Sequence, residues 1–367
     1  MGIAYQKGIL PRMLRLDPEE AHEKVAKALT SASRHRRLCR WFSARNGSTS
    51  GMEPVELFGL RFPNAVGLAA GFDKNAAFWP ALFGLGFGHV EIGTITFEKQ
   101  PGNPRPRIFR YPEEKALINR MGFNNDGAEE IAQRLAEQFK KGEPSGPLGI
   151  NIGKSKSVSL DDAPDDYRRS FELLADFADY FTINISSPNT PDLRTLQEES
   201  RLEELLQTLL TANTDRAAKL GEKPVPMLVK IAPDLTFRQI DAVLEIILDL
   251  GVSGIIATNT TLARPGKLAE AGQEGGLSGL PVRKRSTDIV NYISRATNRK
   301  LPIIGVGGIF DPIDAAEKLD AGASLVQIYT GLIYEGPLLA RDLARGLKIR
   351  QTDWVYPENL AAAKSLS

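Results

Sequence analysis

From residue 52 onward, short apolar, β-branched runs alternate with stretches whose apolar positions recur at helical spacing. The runs are Ala65–Ala70, Val90–Thr96, Leu148–Ile152, Phe181–Ser186, Met227–Ala232, Gly254–Thr258, Ile303–Val306 and Leu325–Tyr329. Eight strands alternating with helices predict a parallel sheet of the α/β class, and eight units suggest closure into a (β/α)8 TIM barrel. An open, doubly wound sheet is the rival architecture. The polar residues favour the barrel. Nearly every run ends in a polar or glycine cluster, such as Lys74-Asn75, Gly93-Thr94, Asn151, Asn184 to Asn189, Lys230, Thr258-Asn259-Thr260, Gly307-Gly308 and Thr330-Gly331. Barrels of this kind carry their active sites at the C-terminal ends of the strands.

Residues 1–45 follow a different pattern and predict a small N-terminal helical extension of two short helices. Ile9, Leu10, Met13 and Leu14 give the first an apolar side, with Pro11 as a kink or boundary. Asp17 is placed to cap the second, with Pro18 in its first position, and Ala21, Val25, Ala28 and Leu29 form an apolar stripe. Arg34, Arg36, Arg37 and Arg40 then interleave with Leu38, Trp41 and Phe42, a mixture suited to a bilayer interface. Residues 46–51 (NGSTSG) have linker composition. The expected division is therefore an extension over 1–45, a barrel over 46–345 and a tail over 346–367.

Charge sharpens this picture. The whole chain carries a net +1, which gives no nucleic-acid-type excess. Residues 1–45 hold ten Lys/Arg against four Asp/Glu, a net +6, and the remainder holds 36 against 41, a net −5. A basic end on a mildly acidic body suits an anionic membrane surface, although a solvated helix face has the same composition. Cys39 is the one cysteine, which excludes an intramolecular disulfide and a cysteine-ligated cluster or zinc site within the chain, and fits a reducing compartment. No metal site is expected. No run of about 18 uncharged apolar residues occurs, so any membrane contact is expected to be peripheral. The start lacks an uninterrupted apolar run of the secretory type.

Three features could carry chemistry. Glycines end the last two strands (Gly305-Val306-Gly307-Gly308 and Tyr329-Thr330-Gly331), the place where barrels frequently bind phosphate. One such pair is an ordinary tight turn; two together suggest a monophosphate ligand, for which flavin mononucleotide (FMN) is a natural candidate. Lys230 stands inside an apolar strand, either as half of an ion pair lining the barrel or as a cation beside a flavin ring. The segment Tyr180–Pro191 (YFTINISSPNTP) runs from strand into a loop of Asn184, Ser186, Ser187, Asn189 and Thr190, stiffened by Pro188 and Pro191. Asparagines suit a planar ligand with amide and carbonyl edges. A hydrolase triad is disfavoured, because the only histidines (His22, His35 and His89) lie far from this loop in sequence.

Residues 67–75 (GLAAGFDKN), 119–125 (NRMGFNN), 149–153 (GINIG), 183–191 (INISSPNTP), 229–233 (VKIAP), 256–261 (IATNTT), 275–279 (GGLSG), 303–309 (IIGVGGI) and 323–330 (ASLVQIYT) resemble the dihydroorotate dehydrogenases. The matches run in order over about residues 50–340. Class 1 relatives use a cysteine as the base; here the matching loop carries Ser187, and residues 1–45 resemble the helical pair with which class 2 enzymes meet the membrane and form a quinone tunnel. No mitochondrial-type presequence precedes it, so the bacterial form is expected.

This resemblance implies oxidation of dihydroorotate to orotate in pyrimidine biosynthesis, with FMN as carrier and a membrane quinone as acceptor. It implies a monomer held peripherally on the cytoplasmic face of the cell membrane. Ala70, Gly71, Phe72, Asp73, Lys74, Thr94, Asn151, Asn184, Lys230, Thr258, Gly279, Gly308, Tyr329 and Thr330 fall on the family's FMN positions. Lys74, Asn119, Arg120, Met121, Gly122, Phe123, Asn184, Asn189, Asn259 and Thr260 fall on its orotate positions, and Ser187 on its base. His22, Arg110 and Tyr329 fall where relatives line the quinone pocket; His22 could equally face solvent. The implied reaction has Ser187 take a proton from C5 as hydride leaves C6, with Lys74 facing the substrate carboxylate and Thr190 in the proton relay. Phe97-Glu98, Phe72 and Asn75 depart from the family's usual residues. A related FMN barrel without quinone, or a non-catalytic phosphate-binding barrel at a membrane, are the competing readings.

Overall fold

The structure, a computed structural model, describes residues 5–47, 54–190 and 192–353. Most of the expected 46–51 linker, Pro191 and the tail beyond residue 353 lie outside the described residues.

Eight parallel strands form the barrel: β1 (Val66–Leu68), β2 (His89–Ile95), β3 (Leu148–Ile152), β4 (Tyr180–Asn184), β5 (Met227–Ile231), β6 (Gly254–Ala257), β7 (Ile303–Val306) and β8 (Leu325–Ile328). Each pairs with the next in sequence, and β8 closes on β1 with Gln327 opposite Gly67. That order has no reversal point, which rules out the open doubly wound sheet. All eight strands fall on the runs expected from the sequence.

Alternation along the strands explains closure. Val90 and Ile92 face one way and His89 and Glu91 the other, and every residue of β2 is buried. Bulky rings that cross the interior need small partners. A Cβ on Gly67 would lie 2.0 Å from the His89 ring, and one on Gly149 would lie 2.2 Å from the Tyr180 ring. Either substitution would force an aromatic side chain out of the packed layer.

Two accessory sheets escaped the sequence reading. A hairpin of Val55–Leu57 and Leu60–Phe62 puts Phe62 edge-on to His89, ring centroids 5.4 Å apart, beneath the barrel. Its turn residues, Phe58 and Gly59, both have positive φ (57° and 74°). Hairpin turns of this geometry usually announce themselves with Asn or Asp, so Phe58 hid the signal. The second sheet is antiparallel and three-stranded, with Ala116–Asn119 between Ile108–Tyr111 and Gly276–Gly279. Its own small core is Ala116, Ile118, Leu268 and Leu277. Gly276–Gly279 joins Ala116–Asn119 from far away in sequence, a pairing that no local pattern reports.

The N-terminal extension has three helices rather than two: α1 (Leu10–Leu14), α2 (Pro18–Ser33) and α3 (Arg36–Gly47), preceded by a π-helical turn at Tyr5–Ile9. Asp17 caps α2 as expected, accepting from the backbone N–H groups of Glu19 and Glu20 at 2.9 and 3.1 Å. The chain breaks again at Arg34-His35. Polar contacts fix the extension to the barrel. Arg107 grips the buried Glu19 carboxylate at 2.7–3.1 Å, Arg36 donates to the Gly142 carbonyl at 2.6 Å, and Ser33 Oγ donates to the Phe78 carbonyl at 3.1 Å. Ile9, Leu38, Trp41 and Phe42 remain exposed. No helix among the described residues is long and apolar enough to cross a membrane. At the other end, a helix spans Leu339–Asp353, through the first part of the segment expected as a tail.

One buried charge has a measurable consequence. Lys318 is fully buried behind β7, donating to the Arg283 carbonyl at 3.0 Å and to Thr287 Oγ1 at 2.6 Å. Burial pulls its ammonium down to about 7. Between pH 7 and the unfolded lysine value of about 10.4, only the unfolded chain binds this proton, so Lys318 costs stability increasingly as pH falls through that window. Lys318→Met should therefore gain on the parent protein by roughly 2–4 kcal/mol between pH 10 and pH 6.5. Denaturant unfolding of both proteins at the two pH values measures it, and a constant difference would show that Lys318 does not titrate there.

Candidate active site

A cavity opens at the C-terminal ends of the barrel strands. Its floor is polar and deeply buried. Lys230 on β5 lies 3.8 Å from Glu91 Oε1 on β2, and both are shielded from solvent. The Glu91 carboxylate also accepts from Asn151 Nδ2 (2.8 Å), Gln327 Nε2 (2.9 Å), Thr182 Oγ1 (3.1 Å) and the Tyr180 hydroxyl (3.4 Å). Burial lowers the Lys230 pKa, and the Glu91 charge opposes the fall. Lys230 is ion-paired, as the first of the two readings had it, and it also lines the cavity.

The wall above this floor comes from loops. Asn184 Nδ2 donates to Thr94 Oγ1 at 3.0 Å and to Asn151 Oδ1 at 3.1 Å. Asn259 Nδ2 donates to Ser186 Oγ at 3.0 Å, and Asn189 Nδ2 donates to Asn119 Oδ1 at 3.3 Å. Ser187 Oγ accepts from the Asn189 backbone N–H at 3.2 Å. The accessory sheet supplies Asn119, Ser278 and Gly279 to the same cavity, so it forms part of the roof.

Of the positions expected for a cofactor, Ala70, Gly71, Lys74, Thr94, Asn184, Lys230, Thr258, Gly279, Gly308, Tyr329 and Thr330 line this cavity. Of those expected for substrate, Lys74, Asn119, Met121, Gly122, Phe123, Asn184, Asn189, Asn259 and Thr260 line it, and so does Ser187. Four expected residues stand elsewhere. Asn151 lies behind the wall and holds Asn184 and Thr94 in place. Both Asp73 oxygens accept backbone N–H groups, from Ala77 and Phe78 at 2.8 Å, so that carboxylate shapes the turn after β1. Phe72 faces a neighbouring channel. Arg120 lies across the Phe109 ring and donates to the Pro106 carbonyl at 3.0 Å. Glu91 and Gln327 escaped the sequence reading, although a charged or amide residue inside an apolar strand is the same signal that singled out Lys230.

The cavity is built for a large polar ligand. Thr258 Oγ1, Thr260 Oγ1 and Gln327 Oε1 belong to lining residues and are buried without a protein partner, so they are free to bond a guest. At one end, Gly307 and Gly308 have φ of 127° and 72°, and a Cβ on Gly331 would lie 2.1 Å from the Ile309 carbonyl oxygen. Backbone brought this close at two adjacent strand ends makes a cradle that suits a phosphate group.

An apolar channel leaves the opposite end, between α1, α2 and the barrel. Leu10, Met13, Ala21, Val25, Leu29 and Leu332 line it. Lys74, Asn119, Met121 and Tyr329 line both channel and cavity, so the two adjoin across these side chains. His22 also lines the channel, edge-on to Phe72 with centroids 5.2 Å apart, and does not face solvent. Burial, assisted by the Lys74 charge, pulls His22 down to about 3 and keeps it neutral. Lys74 is pulled down to about 8, mainly by burial, with Glu19 opposing. Arg110 reaches the channel but spends its donors on the end of α1, bonding the carbonyls of Met13 at 3.1 Å and of Leu16.

The sequence profile of the dihydroorotate dehydrogenase family matches residues 52–350. Among curated relatives, the dihydroorotate dehydrogenase (quinone) of Natronomonas pharaonis is 50% identical over 342 residues, covering 92% of each chain. That of Chloroflexus aurantiacus is 49% identical over 351 residues, covering 94% of this chain and 96% of the relative. A solved structure from Eimeria tenella, the enzyme in complex with ferulenol, superposes with a TM-score of 0.79 at 36% identity over 92% of each chain. The ligand-free form from the same organism gives 0.76 at 37% identity, over 86% of this chain and 95% of that one. The chain belongs to the dihydroorotate dehydrogenase family, and within it to the class named for a quinone acceptor.

Proposed function

We propose that this chain oxidises dihydroorotate to orotate in the barrel-end cavity and delivers the electrons to a quinone in the apolar channel. One observation carries this reading. A polar cavity lined by Ser187 and four asparagines adjoins an apolar channel across Lys74, Asn119, Met121 and Tyr329. A polar substrate and a lipid-soluble acceptor can then use one carrier without meeting each other.

The cavity residues fit FMN as that carrier. Gly308, Gly279 and Thr330 would hold its phosphate end, and Ala70, Gly71, Thr94, Asn184, Thr258 and Lys230 its ring. When bound, FMN supplies a two-electron acceptor for hydride. The Lys230 cation, held by Glu91, favours negative charge on the ring above it.

The remaining steps belong to side chains. Asn119, Asn189, Asn259 and Thr260 bind the amide and carbonyl edges of the substrate, and Lys74 faces its carboxylate. Ser187 Oγ takes the C5 proton. A free serine hydroxyl is a poor base, so the proton needs an onward path. Thr190 Oγ1, buried and unpaired three residues further on, provides the next station. Ile9, Leu38, Trp41 and Phe42, exposed beside the arginines of α3, form the face that would rest on a membrane, so the chain would be a peripheral membrane protein with the channel mouth beside the bilayer.

Anaerobic spectroscopy tests the reading. Dihydroorotate should bleach a flavin band, and a short-chain quinone should restore it where fumarate does not. A flavin that dihydroorotate cannot bleach would remove the proposed activity. Ser187→Ala should slow bleaching by about 100-fold or more while FMN stays bound; a near-parental rate would show that Ser187 is not the base.

Lys74 should impose a pH limit on ligand binding. As pH rises through about 8 the cation is lost, so orotate affinity should fall roughly tenfold between pH 7 and pH 9. Lys74→Arg, which stays charged, should flatten that dependence. Titration of the flavin spectrum with orotate reads both, and an equal slope in the two proteins would exonerate Lys74.

A further inference from the structure

Arg194 lies in the helical turn Leu193–Gln197, just beyond the loop that carries Ser187. Its guanidinium joins three loops. Nε donates to the Ser186 carbonyl at 3.1 Å, one peptide before Ser187. Nη2 donates to the Thr260 carbonyl at 3.1 Å, beside Asn259. Nη1 pairs with Asp234 Oδ2 at 2.8 Å, in the loop after β5. Asp234 returns the connection to the Thr260 loop by accepting from Thr261 Oγ1 and from the Leu262 backbone N–H. The turn is fixed from below as well: Gln197 donates to the Arg194 carbonyl at 3.3 Å and accepts from the Ala232 N–H at 3.1 Å.

From this geometry we infer that Arg194 is a positioning residue for the proposed reaction, clamping the Ser187 loop to the Asn259 loop. The inference rests on the proposed function. Arg194 is absent from the cavity lining, so it acts through the two peptides it holds. Those peptides set the separation between the proton acceptor and the asparagine opposite. A planar fork suits the task, since three donors at fixed angles hold three loops at fixed distances. The loop needs such a clamp. Ser187 Oγ itself has only the Asn189 N–H as a hydrogen-bond partner within its own loop. The neighbouring link, Asn259 Nδ2 to Ser186 Oγ, crosses between the same two loops and would be lost if they parted.

A double-mutant cycle with Ser187→Ala tests the inference on the FMN-loaded full chain. In stopped-flow reduction by dihydroorotate, Arg194→Met should slow the rate roughly 10- to 100-fold, with flavin content and thermal midpoint near those of the parent. In the Ser187→Ala background the same change should add less than about twofold, because the residue it positions is gone. A full additional loss there, or a parental rate for Arg194→Met alone, would overturn the inference. Orotate dissociation gives an independent readout through Asn259: Arg194→Met should weaken binding about fivefold in either background, and unchanged binding in both would count against the clamp. If Ser187→Ala alone left reduction untouched, the base assignment would fall while orotate binding still judged Arg194. Should Arg194→Met fail to fold, Asp234→Asn in the same cycle serves in its place.

Discussion

The buried pair of Glu91 and Lys230 is the constraint around which the site is arranged. Two charges shielded from solvent cost several kcal/mol each unless both are well satisfied. Here the cost is met from four directions, by Asn151, Thr182, Tyr180 and Gln327, which donate to Glu91 from β3, β4 and β8. Each donor is thereby oriented. Asn151, with its amide nitrogen committed to Glu91, presents its oxygen to Thr94 and Asn184. Gln327, with its nitrogen committed, leaves its oxygen bare toward the cavity. One carboxylate beneath the floor therefore orients Gln327 in the cavity lining and, through Asn151, the Thr94 and Asn184 side chains, and it keeps a cation at the centre of a barrel that could not otherwise hold one.

The extension depends on a second buried pair in the same way. Glu19 near the start of α2 is gripped by Arg107, whose remaining donors go to the carbonyls of Pro101 and Asn103. Asn103 in turn donates to the carbonyls of Arg120 and Asn189. The chain of contacts runs from the helix that roofs the channel to the loop that carries Ser187. Channel and cavity thus share more than four lining residues; they share a rigid connection, which keeps an apolar passage aligned with a polar chamber.

Much of this was legible in the sequence, for reasons that can be named. Barrel strands are buried on both faces, so β6 and β7 read as continuous apolar runs, each followed by a polar or glycine cluster. Ser187, Lys230 and the asparagines stood out because each is a polar group where packing alone would place an apolar one. What could not be read was whatever depends on a distant partner. The strand Gly276–Gly279 has its partner in Ala116–Asn119, far away in sequence. Arg120 sits in a segment expected from the sequence to bind substrate, yet its side chain lies against Phe109 and the Pro106 carbonyl. Asp73 follows the same rule, its oxygens claimed by two backbone N–H groups a turn later. Glu91 was visible in principle, since an acid in the strand His89–Ile95 demands a basic partner, and Lys230 was already in view.

Lys74 shows why the two chambers meet where they do. It lines the cavity, the channel and the polar cleft beside Glu19 and Arg107, so its ammonium feels all three. Burial lowers its pKa, and Glu19 restores part of the loss from outside the cavity. Burial, assisted by the same ammonium, keeps His22 neutral on the channel side. A cation here serves the polar chamber by attracting a carboxylate, and it serves the apolar one by suppressing a second charge that would be costly to desolvate. The boundary between the proposed substrate site and the proposed acceptor site is therefore itself a charged side chain, whose charge a glutamate of the extension favours.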